Sequence, residues 1–354
     1  MEPGRITRAC VVIAAALCAH PAWGQADDGE LTTFTPTAAQ LAIAARVDQV
    51  REQHSRSSDL RLRILFSMNG EIEEERRPDN GLYAKERISA ADLYAQARGS
   101  TDPLVLDLLL VRCGFATKTR AACDREDLAR RWTVADTQNQ LAWLTLAAVL
   151  KEKGDLDGAR GAFLRAAEAS RWHEHIVETR RLVASAAPHD ETVAMANAFR
   201  ADAVNVSGLA TPYSALSLLG AFCKEADPMR AACARILAVL VRDTDAMIAL
   251  TLAVPYAMRA NVAAPVVATY REEADAMHWA LLESVPKGDV LEPTDEATAR
   301  RDALSWQQLI DAGERRRAER FLLENHVTRQ EAAARFVAGL SPEQKKQRAE
   351  MSMR

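Results

Sequence analysis

Apolar residues recur three and four positions apart along most of this chain, which is the spacing of one face of an α-helix. A clear example is the row Trp143, Leu146, Ala147 and Leu150. The alternation typical of β-strands is almost absent; residues 60–66 (LRLRILF) come nearest to it, and a helix fits them as well. The pattern therefore predicts an all-α protein, built as an array of antiparallel helical hairpins.

Capping side chains that stand directly before proline mark several predicted helix starts. These pairs are Thr35-Pro36, Asp102-Pro103, Thr211-Pro212, Asp227-Pro228 and Ser341-Pro342. Near the end of the chain, Thr328 and Glu331 predict a capping box ahead of the apolar stretch at residues 332–340.

One long segment occurs twice. Residues 101–123 (TDPLVLDLLLVRCGFATKTRAAC) match residues 211–233 (TPYSALSLLGAFCKEADPMRAAC) at a constant offset of 110, and the motif LTLA recurs at 144–147 and 250–253. Self-similarity of this kind is typical of repeat proteins. We therefore expect two duplicated halves; chance similarity between Ala- and Leu-rich helices is the alternative.

Four of the six cysteines lie in these copies, and both pairs share the spacing C-x9-C. An even number of cysteines predicts disulfides where the compartment is oxidising, and the spacing favours the local bridges Cys113–Cys123 and Cys223–Cys233. A zinc site is the alternative, but no C-x2-C motif or paired histidines accompany the cysteines.

The first 24 residues have the features of a signal peptide. Arg5 and Arg8 precede the apolar stretch at residues 9–19, which is too short to cross a bilayer as a stable helix. Small residues before the predicted cut place cleavage after Gly24, or alternatively after Ala26. The chain is therefore predicted to reach the bacterial periplasm or to be secreted.

Two other interpretations of the N-terminus are a buried helix and a lipid anchor on Cys18. Lipid attachment needs a small residue before the cysteine, and Leu17 is large.

The composition agrees with a folded, water-soluble helical protein. Of 354 residues, 48% are hydrophobic and 27% are charged, whereas glycine (15 residues) and aromatics (5%) are too few for a large β-sheet protein. The net charge of −4 and the absence of a long basic run argue against a nucleic-acid partner. No later stretch approaches 18 apolar residues, so no transmembrane span is expected.

Residues 141–170 (LAWLTLAAVLKEKGDLDGARGAFLRAAEAS) resemble a tetratricopeptide repeat, a hairpin of two helices with large and small residues at fixed positions. The matching packing residues are Trp143, Leu146, Ala147, Leu150, Gly154, Ala159, Phe163 and Ala166. The match departs from the family at Arg171, where a proline normally ends the repeat. In the second copy, Ala260 replaces the turn glycine and Pro265 takes a small-residue position.

The resemblance implies a degenerate α-solenoid, and a compact helical domain with one chance hairpin is the alternative. The predicted division has five parts: a signal peptide (1–24), an N-terminal helical segment (25–100), a first helical-repeat half (101–210), a second half (211–300), and C-terminal helices with a charged tail (301–354).

No catalytic, phosphate-binding or dinucleotide-binding motif is present. His173 and His175 suggest a metal site, but on a helix residues two apart point to different faces, so exposed histidines without a metal are expected.

The segment 189–191 (HDE) is expected to start a helix. The acidic cluster at 71–75 and the arginines at 315–317 are expected to be solvated surface, and Trp172 and Trp279 to be equivalent core positions or, alternatively, to line a ligand groove.

The repeat resemblance implies that the chain binds another protein or a peptide. We therefore predict a scaffold or adaptor without catalytic activity, cofactor or metal. A cell-envelope enzyme and a carrier of a small ligand are the alternatives.

Overall fold

A computed structural model describes residues 37–67, 90–115, 123–188, 192–209, 213–285 and 295–353. The predicted signal peptide (1–24), the acidic cluster (71–75), the segment 189–191 and the starts at Pro36 and Pro212 lie outside these residues.

Within the described residues every regular element is an α-helix, which confirms the all-α class. The bounds are α1 (Ala38–Ser55), α2 (60–67), α3 (Ala90–Gln96), α4 (Pro103–Phe115), α5 (Arg125–Ala135), α6 (Gln140–Glu152), α7 (Leu156–Glu168), α8 (Ile176–Ser185), α9 (Val193–Leu209), α10 (Tyr213–Phe222), α11 (Met229–Asp243), α12 (Met247–Arg259), α13 (Ala264–Ser284), α14 (Glu296–Glu324), α15 (Arg329–Gly339) and α16 (Pro342–Met353).

Three of the predicted helix starts are confirmed. α4 begins at Pro103, and the Leu104 amide donates to the Asp102 carboxylate over 3.1 Å. The capping box of Thr328 and Glu331 opens α15. α16 begins at Pro342, where Ser341 exchanges two hydrogen bonds with Gln344.

The helix start predicted at Pro228 is wrong by one residue. α11 begins at Met229, and Pro228 occupies the N-cap without a side-chain cap. Asp227 therefore lies outside the position from which a side chain caps the first turn.

The described residues form two compact units, each assembled from separate stretches of chain. The disulfide unit, named for its two cysteine pairs, comprises the described parts of residues 52–176 and 209–271. The terminal unit comprises the described parts of residues 1–51, 177–208 and 272–354. The halves predicted at 101–210 and 211–300 stay a prediction, because compactness and duplication are separate properties.

In the disulfide unit, α6 and α7 pack closely against each other, and both also contact helices of the second sequence copy. Phe163 of α7 meets Phe222 of α10 edge to face, with ring centroids 5.0 Å apart. Such aromatic pairs stabilise a core beyond the area that they bury.

The terminal unit has its own apolar clusters. On α1 and α9 these residues are Ile43, Val47, Val50, Ala198 and Phe199. A second cluster joins Ala201 of α9 to Trp306 and Leu309 of α14. The Asn197 carboxamide also donates to the Ala299 carbonyl over 3.1 Å, so α9 and α14 are joined by a polar contact as well as an apolar one.

Candidate functional site

The residues predicted to pack the repeat hairpin mostly lie in the core of the disulfide unit. The buried ones are Leu146, Ala147, Leu150, Ala159, Phe163 and Ala166. Trp143 is half-buried, and its indole N–H donates to the Thr137 carbonyl over 2.9 Å. Gly154 lies in the turn between α6 and α7 with a φ of 87°, a conformation that side-chain-bearing residues rarely adopt.

Both predicted disulfides are present. Cys113–Cys123 and Cys223–Cys233 have Cα–Cα distances of 6.0 and 5.4 Å, and each bridges ten positions of sequence. All four cysteines are buried, so the bonds are shielded from solvent.

The candidate site lies where the turn before α6 meets the segment between α7 and α8. An isolated parallel bridge joins Asn139 to Arg171 in these two stretches. The Gln140 amide donates to the Arg171 carbonyl over 2.9 Å, and the Arg171 amide donates to the Gln138 carbonyl over 3.1 Å.

Asn139 fixes both sides of this junction with one carboxamide. Its Nδ2 donates to the Asp136 carboxylate over 3.0 Å and to the His173 carbonyl over 2.9 Å. Its Oδ1 accepts from the His173 amide and also from the Leu141 amide, both over 3.1 Å. Asn139 is fully buried, and its carboxamide finds its hydrogen-bond partners within the protein.

Asp136, His173 and His175 converge at this junction. One potential ligand atom from each lies within 4.8 Å of the other two. Asp136 is 3% exposed and His175 is 6% exposed, whereas His173 is half-buried. The two imidazole centroids are 4.2 Å apart, and the exposed Arg171 side chain forms an ion pair with Asp136.

The expectation of exposed histidines on separate helix faces is wrong. Residues 172–175 are not helical, and His175 has a φ of 52°, so the helical spacing argument does not apply to them. Because the backbone of this segment is not helical and His175 has a left-handed φ, the two rings lie side by side.

Glu174 points away from the histidines to the start of α12. Its carboxylate accepts from the Thr244 hydroxyl over 2.7 Å, and from the Asp245 and Ala246 amides over 3.1 and 3.2 Å. Glu174 is 4% exposed, and burial raises its pKa, although the hydrogen bond from Thr244 acts in the opposite direction. Ala246, the N-cap of α12, has no capping side chain of its own, so Glu174 serves that helix as a cap from a distant part of the chain.

The two tryptophans do not occupy equivalent positions. Trp172 is buried in the non-helical segment, whereas Trp279 lies within α13, half-buried, with its ring centroid 5.9 Å from that of Phe321 and the Arg335 guanidinium 5.0 Å from its ring. The two sequence copies are similar near these tryptophans, but only the second copy is helical there.

The arginine run is not all solvated surface as expected. Arg315 pairs with Glu273 over 2.5 Å, and Arg317 is buried, where it donates to the Ser284 carbonyl over 3.2 Å. Residues two apart on α14 thus both face packed neighbours, while Arg316 is exposed.

Sequence reasoning missed Asp136, Asn139 and Glu174 as site residues. The signal in the sequence was a carboxylate, Asp136, followed by a capping amide, Asn139, directly before the start of α6. Compared with protein-family models, with curated proteins and with solved structures, the chain shows no significant match.

Proposed function

We propose that this protein is an exported helical-repeat scaffold, periplasmic or secreted, which binds another protein or a peptide and has no catalytic activity of its own. The proposal rests on the order in which the helices of the disulfide unit contact one another.

Within that unit, contacts link alternate helices of successive pairs. α6 packs against α10, and α10 packs against α12; α7 packs against α11. First helices thus contact each other at α6–α10 and α10–α12, and second helices contact each other at α7–α11. Such neighbour-to-neighbour contacts are typical of stacked helical repeats.

The duplication supports the same pairing. α4 begins at Pro103 and α10 begins at Tyr213, which is the offset of 110 between the two sequence copies. Residues 177–208 belong to the terminal unit, so they form an insertion between the pair α6–α7 and the pair α10–α11. The stack therefore continues across the insertion.

A stack of this kind presents one surface made of first helices and another made of second helices, and repeat proteins bind partners on such extended surfaces. Two buried disulfides brace the pairs, which suits a protein that works outside the cytoplasm. No helix among the described residues is long and apolar enough to span a membrane.

Site-specific photocrosslinking in an extract of the cell envelope tests the proposal. The crosslinker is placed at exposed Ser217 and Thr251 on first helices, and at exposed Arg165 and Arg235 on second helices. We expect one dominant partner to be captured from one series and not from the other. Capture of no reproducible partner at any position would contradict the scaffold and favour an enzyme or a small-ligand carrier; equal capture at all four positions would show non-specific contact.

A further inference from the structure

We propose that Asp136, His173 and His175 bind one divalent transition-metal ion, with zinc as the expected ion. Their ligand atoms lie within 4.8 Å of one another, close enough to be drawn onto a single ion by small side-chain rotations. Two imidazole nitrogens and one carboxylate oxygen form a common zinc donor set, in which a solvent molecule completes the tetrahedron.

The backbone around the donors is already fixed. Asn139 holds the Asp136 carboxylate and both backbone groups of His173, while the bridge to Arg171 fixes the strand-like approach of the second segment. His175 keeps a left-handed φ of 52°, which turns its ring toward His173. Hydrogen bonds of this kind hold the ligand side chains in position. They strengthen metal binding because less conformational entropy is lost when the ion binds.

The electrostatics of the site allow an exchange of cations. Asp136 is almost fully buried, and a buried carboxylate needs a counter-charge. The Arg171 guanidinium supplies it, but the Arg171 side chain is 54% exposed, so it can move into solvent when a metal ion takes its place. The Arg171 guanidinium and the metal ion therefore compete for the Asp136 carboxylate, whereas Asp136, His173 and His175 supply the metal ligands.

This competition separates a metal site from a purely structural ion pair. A metal site predicts that His173→Ala weakens metal binding and that Arg171→Gln strengthens it. A structural cluster predicts no change in metal affinity for either variant. His173 is half-buried, so its truncation should leave the fold intact; Asp136→Asn supplies a second ligand variant.

The experiment titrates the mature, oxidised full chain with Zn²⁺ by calorimetry and with Co²⁺ by visible absorption, whose bands report a tetrahedral site. We expect one ion per chain, at least a tenfold loss of affinity for His173→Ala and Asp136→Asn, and at least a threefold gain for Arg171→Gln. The control is His278→Ala, since His278 lies on α13 against Phe336, far along the chain from the donors.

Three results would each overturn the proposal: no binding by the wild type, wild-type affinity in His173→Ala, or an equal loss in His278→Ala. Circular dichroism and urea unfolding establish that each variant is folded. If Asp136→Asn does not fold, the opposite shifts of His173→Ala and Arg171→Gln still decide the outcome.

Discussion

At the residue scale, Glu174 is a buried carboxyl group whose oxygens accept hydrogen bonds from a distant part of the chain. It receives three hydrogen bonds from residues 244–246, about seventy positions away in the sequence. The amide dipoles at the start of α12 favour a negative charge there, but desolvation acts more strongly and raises the Glu174 pKa.

A raised pKa means that the folded protein holds the Glu174 proton more tightly than the unfolded chain does. The free energy of unfolding therefore falls as the pH rises above 4.5, the ordinary value for this group, until the raised pKa of the folded state is passed. Below pH 4.5 the group is protonated in both states and this contribution is complete.

Glu174→Gln should remove this loss while keeping the shape of the side chain. Relative to the wild type, we expect the variant to gain stability with increasing pH above 4.5, by at most about 1.4 kcal/mol per pH unit. Urea unfolding at several pH values measures the gain. Glu168→Gln on the exposed face of α7 is the control and should follow the wild-type profile; a constant offset between Glu174→Gln and wild type would show that Glu174 does not titrate differently on folding.

The same residues show where sequence reasoning stops. That a side chain near residue 174 caps a helix beginning at Met247 depends on a tertiary approach, and no local pattern encodes it. The pairing of His173 with His175 was missed because a helix was assumed to run through them, whereas Asn139 holds the backbone in another conformation.

At the element scale, local chemistry predicted much more. The all-α class, the caps at Asp102, Thr328 and Ser341, and both cysteine pairs follow from side chains within ten positions of their partners. These interactions join residues that are close together in the sequence, so a local sequence pattern indicates them directly. The register error at Pro228 arose because proline can occupy the N-cap as well as the first helical position.

Replacing Cys223 and Cys233 together with alanine should lower the free energy of unfolding by about 3 kcal/mol, because the unfolded chain regains the freedom that a ten-residue loop closure removes. Urea unfolding measures the change. The wild type in the presence of dithiothreitol should lose at least as much stability, since both bonds are then reduced. An unchanged unfolding midpoint in the double variant would mean that the second bridge does not brace its helix pair.

At the scale of the whole molecule, the division of the chain into units was not predictable. Residues 177–208 join the terminal unit through contacts such as that of Arg180 with Glu314, 134 positions apart. The similarity of residues 101–123 and 211–233 predicts a duplication, but it gives no indication that residues 177–208 belong to the other unit. The division into units therefore depends on long-range contacts, which no local pattern in the sequence encodes.

Export also belongs to this scale. We expect the protein recovered from the periplasmic fraction, or from the medium, to begin at Gln25, or at Asp27 if cleavage follows Ala26. N-terminal peptide mapping by mass spectrometry reads the start directly, and Arg5→Glu with Arg8→Glu, which reverses the charge ahead of the apolar stretch, should leave unprocessed precursor. An intact Met1 on the exported protein would contradict the predicted cleavage.

If the chain is exported as proposed, its interrupted course affects the order in which its parts can fold as they emerge from a membrane channel. The cysteines of each pair are ten positions apart, so they can meet soon after they appear. The apolar face of α1 must instead wait for Phe199, and α9 must wait for Trp306. Among the described helices α1 would emerge first, well before the α9 residues that cover its apolar face, and during that interval this apolar surface is available to a chaperone that attends secretion.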